Sequence, residues 1–372
     1  RNAFILYEAI HIASMVVGAF SPNMDFLIAC RFVMGVGLGA LLVTLFAGFT
    51  EYMPGRNRGT WSSRVSFIGN WSYPLCSLIA MGLTPLISAE WNWRVQLLIP
   101  AILSLLATAL AWRYFPESPR WLESRGRYQE AEKVMRSIEE GVIRQTGKPL
   151  PPVVIADDGK APQAVPYSAL LTGVLLKRVI LGSCVLIAMN VVQYTLINWL
   201  PTIFMTQGIN LKDSIVLNTM SMFGAPFGIF IAMLVMDKIP RKTMGVGLLI
   251  LIAVLGYIYS LQTSMLLITL IGFFLITFVY MYVCYASAVY VPEIWPTEAK
   301  LRGSGLADAV GRISGIAAPY AVAVLLSSYG VTGVFILLGA VSIIVAIAIA
   351  TIEIETKGVF VESLSIDAVV NK

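Results

Sequence analysis

Glu51-Tyr52-Met53-Pro54-Gly55-Arg56-Asn57-Arg58-Gly59 has a second copy far along the chain, Glu293-Ile294-Trp295-Pro296 followed by Lys300-Leu301-Arg302-Gly303. Each copy reads Glu-x-x-Pro, then a basic residue, any residue and Arg-Gly, and the second carries two extra residues in its middle. Both copies stand between long apolar runs. An acid and a pair of cations repeated at the same place in two hydrophobic halves is the pattern of a duplicated membrane transporter.

Composition sets the class around that repeat. Hydrophobic residues make up 58% of the 372 and charged residues 13%, where a soluble chain carries about 25% charge. The mean hydropathy is +0.79. A bilayer core about 30 Å thick needs about 20 apolar residues per helix. Ten candidate spans follow: 3–20, 26–49, 63–87, 94–115, 178–204, 216–236, 244–261, 266–290, 304–328 and 333–352. Lipid admits only helices or closed barrels, and the alternating ten-residue segments of a barrel are not seen. The fold class is therefore all-α integral membrane.

The cations orient the spans. Of the 26 Lys and Arg, 19 lie in segments 1–2, 50–62, 116–177, 237–243, 291–303 and 353–372, while the opposite loops hold only Lys212. The positive-inside rule makes the first side cytoplasmic, and with it both ends of the chain. Topology accounts for the net charge of +5 without a nucleic-acid partner. Cys30, Cys76, Cys184 and Cys284 fall in separate spans without Cys-x-x-Cys spacing, as small buried residues do. A single histidine, His11, and no cysteine cluster leave no metal site, and no cofactor is implied.

Residues 1–115 read as four helices of a first bundle and 178–352 as a six-helix second bundle, with a cytoplasmic tail at 353–372. The repeated loop follows the fourth span of the second half but only the second span of the first. Equivalence of the halves predicts two further helices ahead of Arg1, an N-terminally truncated chain carrying the last ten of twelve. Arg1-Asn2 stands where the second half has Asp237-Lys238-Ile239-Pro240-Arg241-Lys242. Residues 116–177 form a polar connector. Apolar positions 131, 134, 135, 138 and 142 keep one helical face, and Pro149-Leu150-Pro151-Pro152 reads as linker.

Several of these stretches together resemble a known family. Arg31-Phe32-Val33-Met34-Gly35-Val36-Gly37-Leu38-Gly39, Pro116-Glu117-Ser118-Pro119-Arg120-Trp121-Leu122, the 237–242 loop, Pro292 to Thr297 and Glu355-Thr356-Lys357-Gly358 are similar to the sugar-porter and metabolite:proton-symporter branch of the major facilitator superfamily. The chain as a whole resembles an enterobacterial inner membrane metabolite transport protein. The resemblance implies two six-helix bundles around a central cavity, alternating access, and a multi-pass monomer in the bacterial inner (plasma) membrane. It also implies that Arg31 pairs with a carboxylate on a helix outside this chain. Hexose porters carry a Gln-Gln-Leu-Ser type pattern on the helix opening the second half. Here that helix reads Asn190 to Pro201, with Tyr194 and Trp199-Leu200-Pro201, closer to carriers of organic and aromatic acids. Pro240 replaces the loop's usual Gly, and Ile354 the usual Pro.

Candidate residues fall in three groups. Closing one face of a carrier needs contacts that form in one state and break in the other, and charges at the membrane boundary suit this. Glu51, Arg58, Glu117, Arg120, Asp237, Arg241, Glu293 and Arg302 are the cytoplasmic gate candidates. Charge inside the bilayer marks a cavity or a pair. Arg31, Asp308 and Arg312 are the proton-coupling candidates, Asp308 and Arg312 at the i,i+4 spacing that lets them pair. Glu8 lies near the cytoplasmic end of its span, within reach of water. Asn70, Trp71, Asn190, Gln193, Tyr194, Asn198, Trp199, Tyr282 and Tyr285, with Tyr280, are the substrate-binding candidates. Asn190, Tyr194 and Asn198 share one helical stripe, and amides and phenols can hold a carboxylate or a hydroxylated compound.

The function that follows is secondary active transport of a small organic acid by proton symport, with a sugar or polyol as the alternative substrate. A membrane-embedded enzyme or receptor would need a nucleophile–base pair, a metal cluster or a soluble domain, and none is written here. The partners are the substrate, protons and the bilayer.

Overall fold

The structure, a computed structural model, describes residues 1–51, 58–147, 149–150, 166–236, 238–296, 299–352 and 354. Of residues 42–43, 46–51, 58–63, 120, 124 and 301 only the backbone is considered. The described residues are almost entirely helical. In chain order the elements are α1 (Asn2–Ala19), α2 (Met24–Glu51), α3 (Arg58–Asn70), α4 (Ser72–Leu83), α5 (Ala89–Tyr114), α6 (Pro119–Ser124), α7 (Tyr128–Thr146) and α8 (Tyr167–Leu170). They continue with α9 (Gly173–Thr206), α10 (Leu211–Met222), α11 (Gly224–Val235), α12 (Arg241–Ser260), α13 (Met265–Val283), a π-helical turn (Cys284–Tyr290), α14 (Val291–Glu293) and α15 (Lys300–Thr351).

Among the described residues, eight helical segments are long and apolar enough to cross a membrane, against the ten spans expected. Two departures account for the difference. The span at 63–87 is broken at Trp71 into α3 and α4, neither of which is long enough alone. The last two spans run together as α15, which turns at Gly330 with φ 66° and ψ −162°. Those angles lie where only glycine sits without strain, so the boundary between the two spans is one residue instead of a loop.

Local chemistry sets the other boundaries. Ser118 accepts a hydrogen bond from the Trp121 N–H at 3.0 Å and Pro119 occupies the first turn of α6, a cap followed by a residue that has no N–H to satisfy. The Asn210 side chain accepts from the Asp213 N–H at 2.9 Å and donates to its carboxylate at 2.8 Å at the start of α10. The amphipathic connector helix is α7, ended by Gly147 in the left-handed conformation. On its first turn Arg127 and Glu130 pair at 2.6 Å. That hydrogen bond raises the Arg127 guanidinium and lowers the Glu130 carboxyl relative to their ordinary ranges.

The chain divides into two compact units. The first holds Arg1–Trp61 and Gly82–Asp158, where α1 packs on α2 and α5. Its ties include Arg94, which donates to the Ala19 and Ser21 carbonyls at 2.8 and 3.1 Å. Apolar side chains such as Leu105, Leu106 and Leu110 point outward, as they do where lipid is the solvent. The second unit holds Ser62–Met81 and Gly159–Lys372. There α15 packs on α9 and α12, and α13 on α10, α11 and α12, around a continuous apolar core. The α3–α4 stretch joins this unit through Phe67 on Phe230, Trp71 on Phe223 and Tyr73 on Tyr280, ring centroids 6.1, 6.3 and 5.1 Å apart.

Candidate functional site

The second copy of the repeated loop folds into a charge cluster within the second unit. Arg241, the first residue of α12, grips the Glu293 carboxylate with two parallel bonds, Nε to Oε2 at 3.0 Å and Nη2 to Oε1 at 3.1 Å. Its Nη1 also donates to the Met236 carbonyl. The side chains are 7% and 26% exposed. A two-pronged, half-desolvated pair is the strong kind of charged contact. Next to it, Arg178 on α9 donates to the Ile294 carbonyl. The Trp295 ring is fully buried. A Cβ on Gly303 would lie 2.4–2.6 Å from that ring, which is why the motif ends in glycine here. Arg302 stands over the Tyr167 ring at 5.3 Å. Arg178 is a member that sequence reasoning passed over. Its signal was a cation, beside Lys177, at the start of a long apolar run.

The remaining gate candidates are distributed otherwise. Glu117 takes the α-amino group of Arg1 at 2.8 Å, inside the first unit. Glu51, Arg58 and Arg120 are placed only by their backbone, and Asp237 lies outside the described residues.

A second polar cluster gathers four helices of the second unit. Asp308 and Arg312 pair at 2.9 Å along α15, with side chains 45% and 58% exposed. Tyr194 of α9 is a polar neighbour of Arg312, and Gln193, Tyr194 and Tyr73 are polar neighbours of the buried Tyr280 hydroxyl. Two glycines permit the arrangement. A Cβ on Gly311 would meet Leu186 and Asn190 at 2.8 and 3.0 Å, and one on Gly315 would meet the Tyr194 ring at 3.0 Å. Their absence of side chain lets α15 lie against the polar stripe of α9.

That stripe is graded along its length. Asn190 is 2% exposed and spends its amide on the Leu186 carbonyl of its own helix at 2.8 Å. Tyr194 is half-buried and Asn198 exposed, with Gln193 and Trp199 between those extremes. Asn70 donates to the Ser66 carbonyl at 2.6 Å, while Trp71 is partly exposed between Phe67 and Phe223. Tyr282 and Tyr285 do not join this cluster. Both are buried in helix packing, Tyr282 donating to the Val185 carbonyl at 3.1 Å and Tyr285 stacked on Tyr290. The π-helical turn carries the Tyr285 ring into the core against Gly245. Arg31 is exposed on α2. Glu8 departs from expectation: it is 6% exposed and buried within its unit, away from water.

Among the described residues no group of three or more His, Cys, Asp or Glu is placed to hold a metal ion. The chemistry these clusters support is reversible ion pairing and hydrogen bonding within a helical membrane body.

Known proteins share this architecture. The chain is 99% identical over its whole length to YdjK of Escherichia coli (strain K12), which is described with the metabolite transport proteins, and it spans 81% of that relative. It is 44% identical to the inner membrane metabolite transport protein YdjE of the same organism, over 98% of this chain and 80% of that one. The fold is that of the proton:xylose symporter XylE bound to 6-bromo-6-deoxy-D-glucose, with a TM-score of 0.67 at 19% identity over 97% of this chain and 82% of that one. These relatives are multi-pass membrane transporters, not enzymes. Residues 3–319 match the Major Facilitator Superfamily, and the chain belongs to that family.

Proposed function

We propose that this transporter carries a small organic acid across the membrane together with protons, by alternating access. The observation that carries the substrate class is Arg312. Its side chain is 58% exposed on a membrane-spanning helix beside Tyr194, which with Gln193 and Tyr73 also neighbours Tyr280. Charge at such depth is expensive and is retained for a task. The planar fork of an arginine matches a carboxylate with two parallel bonds, and the neighbouring phenols and amide supply further hydrogen bonds.

Asp308 makes the coupling chemical. While ionised it holds Arg312 in an internal pair. A proton on Asp308 cancels that attraction and frees the guanidinium for the substrate carboxylate, so proton and anion load together. XylE, which shares the fold, is a proton:xylose symporter. Asn70, Trp71, Asn198 and Trp199 are proposed to line the path beside this pair, and Arg31 to act on a carboxylate elsewhere in the carrier. The Arg241–Glu293 clasp, with Arg302, Arg178 and the first-copy residues Glu51 and Arg58, is proposed to hold one of the two access states closed. Location in the inner membrane, with the cation-rich side and both ends of this chain cytoplasmic, belongs to the same proposal, as does a monomeric carrier.

The test is uptake into proteoliposomes of a panel of labelled monocarboxylates, sugars and polyols, with and without an imposed proton gradient. Concentrative uptake of a carboxylate that rises as external pH falls and collapses with a protonophore is expected. Preference for a neutral sugar, with Arg312→Gln inert, would overturn the organic-acid assignment and leave the family unchanged.

A further inference from the structure

One ionisable pair in the first unit has no place in the scheme above. Glu8 on α1 is 6% exposed, and among the described residues its Oε2 atom is buried without any hydrogen-bond partner. One turn further along the same helix face is His11, the only histidine of the chain, whose Nδ1 is likewise buried and unpartnered. The helices are closely packed at this level: a Cβ on Gly37 of α2 would touch the His11 backbone at 3.0 Å and the Tyr7 carbonyl at 3.1 Å.

No described charge neutralises them from the neighbouring helices. Gly18 of α1 faces Cys30 and Leu27 of α2, and His11 faces Gly37, so the two helices run in opposite directions. Glu8 then stands level with residues near 40. Asp25 and Arg31, the described charges of α2, lie toward the other end. On α5, Arg94 is bound to the Ala19–Ser21 end of α1, with Glu90 beyond it. Arg113 lies over the Tyr114 ring at 5.7 Å, near the Phe4–Phe115 contact. Arg1 shares the face of Glu8 two turns earlier, and its buried Nε makes no hydrogen bond among the described residues. A carboxylate buried without a partner is strongly disfavoured, whereas the same carboxyl carrying a proton is tolerated. His11, one turn along the same face, carries an imidazole able to relay a proton to that carboxyl.

We propose that Glu8, exchanging through His11, is a proton-binding site of the carrier, separate from Asp308 and in the other unit. Its use as a second coupling position rests on the symport proposed above. Proton binding itself does not.

The test needs no substrate. Infrared difference spectra of the full-length carrier in lipid vesicles, recorded between acidic and alkaline buffer, report the C=O stretch of protonated carboxyls. Glu8→Gln is expected to lose one such band and Glu8→Asp to shift it, while Asp308→Asn leaves it in place. His11→Gln is expected to keep the band but to slow its response to a pH jump by tenfold or more. Spectra of Glu8→Gln identical to the parent protein would overturn the proposal, as would a Glu8 band that ignores His11→Gln. Failure of the organic-acid transport assay would leave these spectra unaffected, so the two results are separable.

Discussion

Two Arg–carboxylate pairs in the same unit are built in opposite ways. Arg241 and Glu293 come from residues far apart in sequence, meet through two parallel bonds, and are largely withdrawn from solvent. Asp308 and Arg312 are neighbours on one helix, joined by a single bond, and both are about half exposed. The first pair can exist only if α12 and α14 are held together, so it reports and stabilises an arrangement of helices. The second exists whenever α15 is helical. It stabilises little, and its members stay available to other partners. A clasp and a loading site are thus separated by burial and by sequence distance, though the residue types are the same.

Breaking the clasp on one side should give the largest effect. Glu293→Gln removes the carboxylate that the buried Arg241 guanidinium grips, and losing one partner of a buried pair is worth about 3–5 kcal/mol. Thermal unfolding in detergent should show a marked drop in melting temperature, with reduced transport. The double replacement Arg241→Met with Glu293→Met should recover much of that stability without restoring transport. A double variant as unstable as the single one would mean that the pair is not the unit of stability.

Arg312→Gln should separate function from stability. Loss of a charge-assisted hydrogen bond is worth roughly 1.5–3 kcal/mol, or about a tenfold to hundredfold rise in apparent KM for a carboxylate. Protein yield and melting temperature should stay within the small range of an exposed ion pair, about 0–1 kcal/mol. An unfolded Arg312→Gln protein would place this pair in the same class as the clasp. Asp308→Asn is a smaller perturbation. Counterflow exchange of a carboxylate should persist, while concentrative uptake loses its dependence on external pH. Retained proton-driven accumulation would remove Asp308 from the coupling step.

The connector supplies the lower bound of the comparison. The hydrogen bond from Arg127 holds the Glu130 carboxyl below its usual range. A lowered carboxyl contributes stability that is present above its unfolded value, about 4.3, and is lost as pH falls through the lowered folded value. Glu130→Gln should therefore lower melting only slightly at neutral pH, because both partners of the pair are exposed. The difference should vanish in acid below about pH 4, where the parent carboxyl is itself protonated. A large shift at neutral pH would mean that the surface pair is coupled to the membrane helices.

The repeated Glu-x-x-Pro…Arg-Gly segment was legible as a repeat, and its second copy takes part in a built site. What could not be read there was the partner of each charge. Glu293 meets Arg241, the Ile294 carbonyl meets Arg178 and Trp295 lies beneath Gly303, and each of these contacts joins the motif to a residue of another element. The α9 stripe was equally legible as a periodicity. Spacing puts Asn190, Tyr194 and Asn198 on one face, but the approach of Gly311 and Gly315 decides that Asn190 is sealed while Asn198 is open. Tyr282 and Tyr285 looked like cavity residues because an aromatic in a membrane helix carries no mark of which way it faces. Glu8 was placed in water on distance from the helix end alone, which ignores what packs beside it.

Sequence by itself determined that this is a helical membrane protein, where its cations are concentrated, and that its halves repeat. Each of those properties is a sum over local composition or a comparison of segments, and needs no knowledge of neighbours. Tertiary structure alone decided which charges are clasped, which are open and which are orphaned. Burial is set by the helix that happens to lie opposite, and in a chain with so few polar groups the approach of one glycine or one carbonyl is enough to turn a free charge into a fixed one.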